Sequence, residues 1–150
     1  MEKNKPIRFQ LRQITTEQFA VIGEPPTEET INVSTRSNFR YSDDKPALGV
    51  FVELRFNEKD TPFLLIEAGC HFEIEESDWE SLKDRENNTI RLPKDFAVHL
   101  LMLTIGTIRG ILHAKTENTP LNKFFVPLLN VLQMVNSDII LDNTSIPDDK

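Results

Sequence analysis

The residues best suited to chemistry in this chain are one cysteine and three histidines: Cys70, His71, His99 and His113. Cys70 and His71 are adjacent in a segment that alternates like a strand, so their side chains point to opposite faces of a sheet. They cannot therefore work as a nucleophile and its general base. His99 and His113 share a face of a predicted helix but lie about 21 Å apart along its axis, too far apart for one metal ion.

Sequence motifs that bind phosphates or position a serine nucleophile are missing as well. The chain contains no P-loop, no G-x-G-x-x-G and no G-x-S-x-G pattern. Carboxylates are numerous, but no spacing singles out a pair for acid–base catalysis. We expect a protein that is not an enzyme and needs no cofactor or metal, with Cys70 as an ordinary core residue.

Acidic residues cluster near the middle of the chain, at Glu73, Glu75 and Glu76 and shortly beyond them. They could form a docking patch for a basic partner. The alternative, which we favour, is a solvated strand end followed by the start of a helix, where carboxylates are stabilised by the helix dipole.

The overall composition predicts one soluble domain spanning residues 1–150. The chain is 39% hydrophobic, and 17 basic against 24 acidic residues give a net charge of −7. An acidic chain is a poor ligand for nucleic acid or anionic lipid, both of which need clustered Lys and Arg. The start of the chain has no apolar signal segment, and a single cysteine suits a reducing compartment. We therefore expect a cytoplasmic protein without membrane insertion.

Alternation of apolar and polar residues fills the first half of the chain. It predicts four strands, within residues 7–22, 30–41, 48–56 and 62–76, joined by turn sequences. Short connections favour an antiparallel sheet. Phe51 falls on the more polar face of the third strand, where an exposed aromatic has less reason to be core.

Helical periodicity replaces alternation in the second half. Ser77 and Glu80 form a capping-box pattern that predicts a short helix over residues 77–85. Pro93 suits the first turn of a long helix ending within residues 114–117. A short apolar segment follows at residues 128–135, and the polar stretch 137–150 is predicted to be a flexible tail.

The central turns of the long helix are apolar on every side. Polar or charged residues interrupt the run at 94, 95, 99 and 109, so we do not expect a membrane span. A helix that is apolar all round needs a cover on both sides, and a chain of 150 residues is small for a two-sided core. We therefore predict an oligomer, with interface candidates on this helix: Phe96, Leu100, Met102, Leu103 and Ile105.

The order of these elements and three short motifs resemble the SecB family of export chaperones. The first strand contains FQLRQI (Phe9–Ile14), similar to the family pattern F-x-[IL]-x-x-I. The long helix contains IRG (Ile108–Gly110), and PLLNV (Pro127–Val131) follows it. The resemblance covers about residues 6–135, which we take as the domain core.

The resemblance implies a SecB-like α+β subunit: a four-stranded antiparallel sheet with one long helix and one or two shorter ones. It also implies a dimer of dimers in which the long helices lie between two sheets. Members of the family hold unfolded or partly folded polypeptides in apolar grooves, without ATP hydrolysis. Export members pass these clients to SecA, which contacts acidic residues on the outer sheet. We predict that Phe51, Phe124, Phe125 and Leu129 contribute to such a groove.

The sequence after the long helix is longer than the crossover of the export chaperones, and the last helix is weak. Both differences favour a SecB-like branch, some of whose members serve single antitoxins. The leading hypothesis is an ATP-independent holdase for non-native chains. The alternative is a protein that binds one specific partner, such as an antitoxin; a small-molecule-binding or enzymatic domain ranks third.

Overall fold

The computed structural model describes residues 6–26, 30–42 and 44–142. Four long strands occupy the first half of the chain: β1 Phe9–Val21, β2 Ile31–Tyr41, β3 Ala47–Glu58 and β4 Thr61–Ile74. They pair antiparallel in the order β1-β4-β3-β2. The predicted sheet and the α+β class are therefore confirmed.

Shorter elements surround one long helix in the second half. They are α1 Glu76–Leu82, β5 Lys83–Asp84, β6 Thr89–Leu92, α2 Lys94–Thr116, a 3-10 turn Pro120–Lys123, α3 Val131–Met134 and β7 Ile139–Asp142. The strands β5, β6 and β7 form a small antiparallel sheet that the sequence analysis did not predict.

The predicted flexible tail from residue 137 is wrong in its first part. Ile139 and Leu141 alternate with the strand period and lie opposite Leu92 and Ile90 of β6. Because this pairing satisfies the backbone of β7 and buries Leu141, the chain stays ordered to Asp142. Residues 143–150 lie outside the described residues.

The start of α1 differs from the predicted capping box. Glu75 is the N-cap, because its carboxylate accepts the backbone N–H groups of Ser77 at 3.0 Å and of Asp78 at 3.3 Å. The Ser77 hydroxyl donates to the same carboxylate. An anion at this position also faces the positive end of the helix dipole. The helix therefore begins at Glu76, before Ser77, and it ends at Leu82 rather than at residue 85.

The core lies between one face of the four-stranded sheet and α2. Val50, Val52 and Leu54 alternate on this face of β3 and are inaccessible to solvent, and Cys70 of β4 is buried there as predicted. The apolar residues that α2 buries in this core are Phe96, Ala97, Leu100, Leu101, Ile105, Ile108 and Leu112.

The other face of α2 is only partly covered by the described residues. Met102 is 56% exposed, Leu103 is also exposed, and the space beside Gly106 and Gly110 is open. In length and composition α2 could cross a membrane, contrary to the expectation from its polar interruptions. Core helices of soluble proteins share this property, and α2 buries a full stripe against the sheet.

The edge strand β1 also exposes apolar side chains. Leu11 and Ile14 lie opposite Phe72 and Cys70, on the core side of the sheet, yet both are about half exposed. The register of β1 against β4 shifts twice, at residues 11–13 and 16–18. Such bulges bend a strand, and they account for the departure of β1 from simple alternation.

Candidate functional site

The chain after α2 runs back along that helix and leaves a groove beside it. We call residues 124–138 the return segment; it starts beyond the C-terminal end of α2 and ends beside the first residue of α2. The groove between the return segment and α2 has a volume of about 580 Å³. It is lined by Val98, Met102, Leu128, Leu129, Asn130, Val131 and Leu132.

The local sequence keeps the return segment largely extended. Pro127 has no backbone N–H to donate, and only one helical turn, α3, follows. Asn130 caps this turn, because its side-chain oxygen accepts the N–H of Gln133 at 3.2 Å. Leu128 is 98% exposed and Leu132 is 59% exposed. Exposed apolar residues that lie together, rather than singly, are a feature of binding surfaces.

The lining of the groove determines what it can bind. Apart from Asn130 its side chains are aliphatic, so binding would come from burial of apolar surface. Fully burying one leucine or valine contributes about 1.5–3 kcal/mol. The carboxamide nitrogen of Asn130 makes no hydrogen bond within the described residues, and it can donate to a peptide carbonyl. The groove therefore suits an extended chain with aliphatic side chains.

The four predicted groove residues lie in different environments. Leu129 lines the groove. Phe125 belongs to the return segment and is 62% exposed, but it lies outside the groove lining. Both positions remain predictions as client-binding residues.

Phe124 is not available to a groove, contrary to the prediction. It is only 9% exposed, and its ring centroid lies 5.0 Å from that of Phe63 and 6.2 Å from that of Phe56. Packing of three aromatic rings is favourable in itself. Phe124 therefore fixes the start of the return segment to the sheet.

Phe51 is also buried, and it lies on the other side of the sheet from α2. Its ring packs flat above Gly49 and Gly69: a Cβ at Gly69 would lie 2.5 Å from the ring. The guanidinium of Arg40 lies 4.8 Å from the ring centroid, and the ring of His71 packs edge-on at 5.4 Å. These neighbours leave Phe51 only 7% exposed, so the prediction of an exposed aromatic was wrong.

The predicted interface residues divide into two groups. Phe96, Leu100 and Ile105 are buried against the chain's own sheet, so in this conformation they cannot contact a second subunit. Met102 and Leu103 are exposed on the free face of α2 and remain interface candidates. Met102 also lines the groove.

Two carboxylates of the predicted acidic docking patch are paired with arginines of β1 and the residues before it. The Glu73 carboxylate lies 3.0 Å from the guanidinium of Arg12. Glu75 caps α1, and its carboxylate lies 3.2 Å from the guanidinium of Arg8. The pKa of Glu75 is lowered, chiefly because its carboxylate accepts a hydrogen bond from the Ser77 hydroxyl. Glu76 is exposed. The patch therefore offers less negative potential than its sequence indicates.

A different carboxylate on the outer face is less well compensated. Glu67 on β4 lies directly opposite Glu53 on β3. Burial raises the pKa of Glu67, and the charges of Glu53 and Glu17 raise it further, while Arg40 and Arg36 act in the opposite direction.

Across residues 6–26, 30–42 and 44–142, no group of three or more His, Cys, Asp or Glu side chains could hold a metal ion.

The sequence analysis missed several residues of the groove. The sequence contains a pattern that indicates some of them but not the others. Val98 and Met102 are four residues apart on α2 and therefore share a helical face. Leu128 and Leu132 belong to the apolar segment after the long helix, for which the sequence favoured groove lining and ordinary packing under the sheet equally. Their exposure depends on the path of the return segment, which has no periodicity to reveal it.

Comparison with known proteins gives structural matches only. No protein-family model matches the sequence, and no curated protein matches it. A solved structure of the Mycobacterium tuberculosis SecB-like chaperone Rv1957, in complex with a ChAD peptide from the HigA1 antitoxin, is similar with a TM-score of 0.51. Its sequence identity is 16%, and the match covers 82% of this chain and 91% of that chain.

A protein of unknown function from Streptococcus agalactiae matches with a TM-score of 0.43 and 13% identity, covering 84% of this chain and 100% of that chain. The match with the mycobacterial protein shows that the chain has a SecB-like fold, as predicted.

Proposed function

We propose that this protein is an ATP-independent chaperone that holds apolar segments of non-native polypeptides in the groove beside α2. The observation that carries the proposal is the open aliphatic groove, with Leu128 almost fully exposed in its wall. Aliphatic surface of this kind binds extended chains of many sequences, because burial is not directional. The role requires no catalytic group or cofactor. We also propose a cytoplasmic location, because a single cysteine suits a reducing compartment.

A narrower form of the same function is a chaperone dedicated to one partner. Two observations favour it as the second candidate. The groove, at about 580 Å³, has room for a short apolar stretch rather than a long one. In addition, the similar mycobacterial chaperone was solved with a peptide from an antitoxin.

A holdase assay with two unrelated denatured proteins tests the proposal and separates the two forms. We expect the wild-type protein to suppress aggregation of both at near-stoichiometric amounts. Leu132→Glu should abolish this activity, because it places a charge in the aliphatic groove. Ile140→Glu is a matched control, since Ile140 is similarly exposed but lies on β7.

Each result has a defined meaning. The dedicated form is supported if the protein suppresses aggregation of only one of the two substrates. It is also supported if the protein suppresses aggregation of neither but binds a single cellular polypeptide. Equal activity of Leu132→Glu and Ile140→Glu would show that the groove is not the binding site. Activity should change little with salt, because the groove lining carries no charge.

We do not extend the proposal to docking on SecA. That interaction would use carboxylates of the outer sheet, and two of the three predicted ones are paired with Arg12 and Arg8. A binding measurement with SecA at low salt tests this restriction. Affinity that falls after Glu76→Gln or Glu73→Gln would restore the export role.

We further propose that the protein is a homo-oligomer, with a dimer of dimers as the expected form. The support is the uncovered apolar surface on α2, where Met102 and Leu103 are exposed beside two glycines with open space. Small residues on a helix face allow another helix to approach closely. A second copy of the chain would provide the missing cover.

A further inference from the structure

Residues 125–137 of the return segment are attached to the rest of the described chain without hydrogen bonds. The backbone bonds of this stretch are local, from the N–H groups of residues 133–135 to the carbonyls of residues 130–131. Its attachment is apolar, chiefly through the buried side chains of Val126 and Val135. A segment with few cross-chain hydrogen bonds opens locally at a small free-energy cost.

The two ends of this stretch are fixed more firmly than its middle. At the start, Phe124 packs in the aromatic cluster with Phe56 and Phe63. At the end, the Asp138 carboxylate bridges two elements: Oδ1 accepts the backbone N–H of Lys94 at 2.8 Å, and Oδ2 accepts Nε–H of Arg91 at 3.0 Å. Bonds to an ionised carboxylate belong to the stronger class of hydrogen bonds.

Asp138 also supplies an acceptor that the start of α2 otherwise lacks. Pro93 occupies the N-cap position without a side-chain hydrogen bond to the helix. The carboxylate that compensates comes from 44 residues further along the chain, and it is favoured there by the helix dipole. The end of the return segment is thereby bound to Lys94, one turn before Val98 on the facing side of the groove.

We propose that Asp138 is a positioning residue for client binding: together with the pairing of β7 and β6, which begins at Ile139, it holds the return segment against α2. Release of its carboxylate lets residues 125–137 move, so that the groove widens for a longer client segment. The inference rests on the proposed function, because it names how that same groove adapts to its client. In the anchored state the groove admits only a short aliphatic stretch. In the released state the part of α2 beneath residues 129–134 becomes accessible too.

Amide hydrogen exchange and client association, measured on the same variants, test the inference. Asp138→Asn keeps the shape and one acceptor but removes the charge. Glu117→Gln is the matched control, since it makes the same change at the other end of α2, where Glu117 lies 3.7 Å from His113. We expect Asp138→Asn to speed exchange of the amides of residues 133–135, which carry the backbone hydrogen bonds of this stretch, about tenfold, as the loss of one charge-assisted bond implies. The control should leave this exchange unchanged.

The client readout separates positioning from simple stabilisation. The long probe is reduced, carboxymethylated α-lactalbumin, which stays unfolded, and the short probe is a leucine- and valine-rich octapeptide. We expect Asp138→Asn to raise the association rate of the long probe several-fold and to leave that of the short probe unchanged, because only the long probe needs the released state. A lower melting temperature alone would not produce this split.

Three outcomes would overturn the inference. The first is wild-type exchange of the amides of residues 133–135 as slow as that of β3 and β4. The second is faster exchange in Asp138→Asn with no change in the ratio of long-probe to short-probe association. The third, failure of the wild-type protein to bind either probe, would remove the proposed function and the client role of Asp138 with it, while the exchange data would still report the anchor.

Discussion

Phe51 is buried although it lies on the face of the sheet away from α2. Its ring occupies the space left by two glycines, one on its own strand and one on the adjacent strand. Gly69 lies directly opposite Phe51 on β4, and Gly49 is two residues earlier on β3. Because neither has a Cβ, the ring can lie flat on the backbone, with Arg40 and His71 against it. The outer face therefore has a small packed centre of its own.

Gly69→Ala should destabilise the protein by about 1–3 kcal/mol, as other overpacking substitutions do. The new methyl group would lie 2.5 Å from the Phe51 ring, so the ring must move. Urea denaturation measures the change. In a Phe51→Ala background the same substitution should be nearly neutral, and an equal penalty in both backgrounds would show that the ring is not the cause.

Glu67 should make the protein less stable at neutral pH than at acidic pH. Because its pKa is raised in the folded state, its favourable contribution is complete below the ordinary value of 4.5 and is lost as pH rises through the folded-state pKa. Glu67→Gln should thus raise the free energy of unfolding at pH 7 by roughly 0.5 kcal/mol.

The difference between Glu67→Gln and the wild type should disappear near pH 4. Glu24→Gln, in the exposed loop after β1, is the control and should have no effect at either pH. A Glu67→Gln effect that is the same at both pH values would assign it to packing rather than to charge.

At the level of elements, the return segment shows how two adjacent phenylalanines take opposite roles. The chain is extended around Phe124 and Phe125, so neighbouring side chains point in opposite directions. Phe124 completes the cluster with Phe56 and Phe63, while Phe125 faces solvent. The first phenylalanine is therefore a structural anchor.

Phe124→Ala should lower the free energy of unfolding by about 3–5 kcal/mol, the usual cost of removing a buried aromatic ring. Phe125→Ala should stay within about 0.5 kcal/mol of the wild type, as an exposed position does. Chemical denaturation of both variants decides the assignment. Similar losses in the two variants would mean that Phe125 is covered in solution, for example by a second subunit.

The sequence was sufficient for the four-stranded sheet and α2, because their apolar periodicities extend over eleven or more residues. It was insufficient where a contact depends on distant residues. The burial of Phe51 requires knowing that β3 and β4 align Phe51 with Gly69. The ordering of β7 requires its pairing with β6, some fifty residues earlier. The groove was missed in part because an extended segment without periodicity does not reveal which of its leucines pack.

For the whole molecule, α2 and β1 both expose apolar residues, and the two elements are in contact near both ends of α2. The ring of Phe9 lies 5.7 Å from those of Phe96 and His99, and the Lys115 ammonium lies 5.8 Å from the Phe19 ring. Both ends of α2 thus approach β1, and the exposed Leu11 and Ile14 fall between these two contacts. Each of the two elements therefore contributes exposed apolar side chains that a second subunit could cover.

Leu103→Glu should therefore dissociate the oligomer that we propose. Light scattering at micromolar concentration should give an assembly for the wild type and about the 17.3 kDa monomer for the variant, with helical circular dichroism retained. A charge on this surface would have to be desolvated without a partner, which costs several kcal/mol. Leu128→Glu changes the groove wall instead, and it should abolish client binding while leaving the assembly intact. A monomeric wild type would remove the oligomer proposal, and loss of assembly in Leu128→Glu would show that the groove itself is part of the interface between subunits.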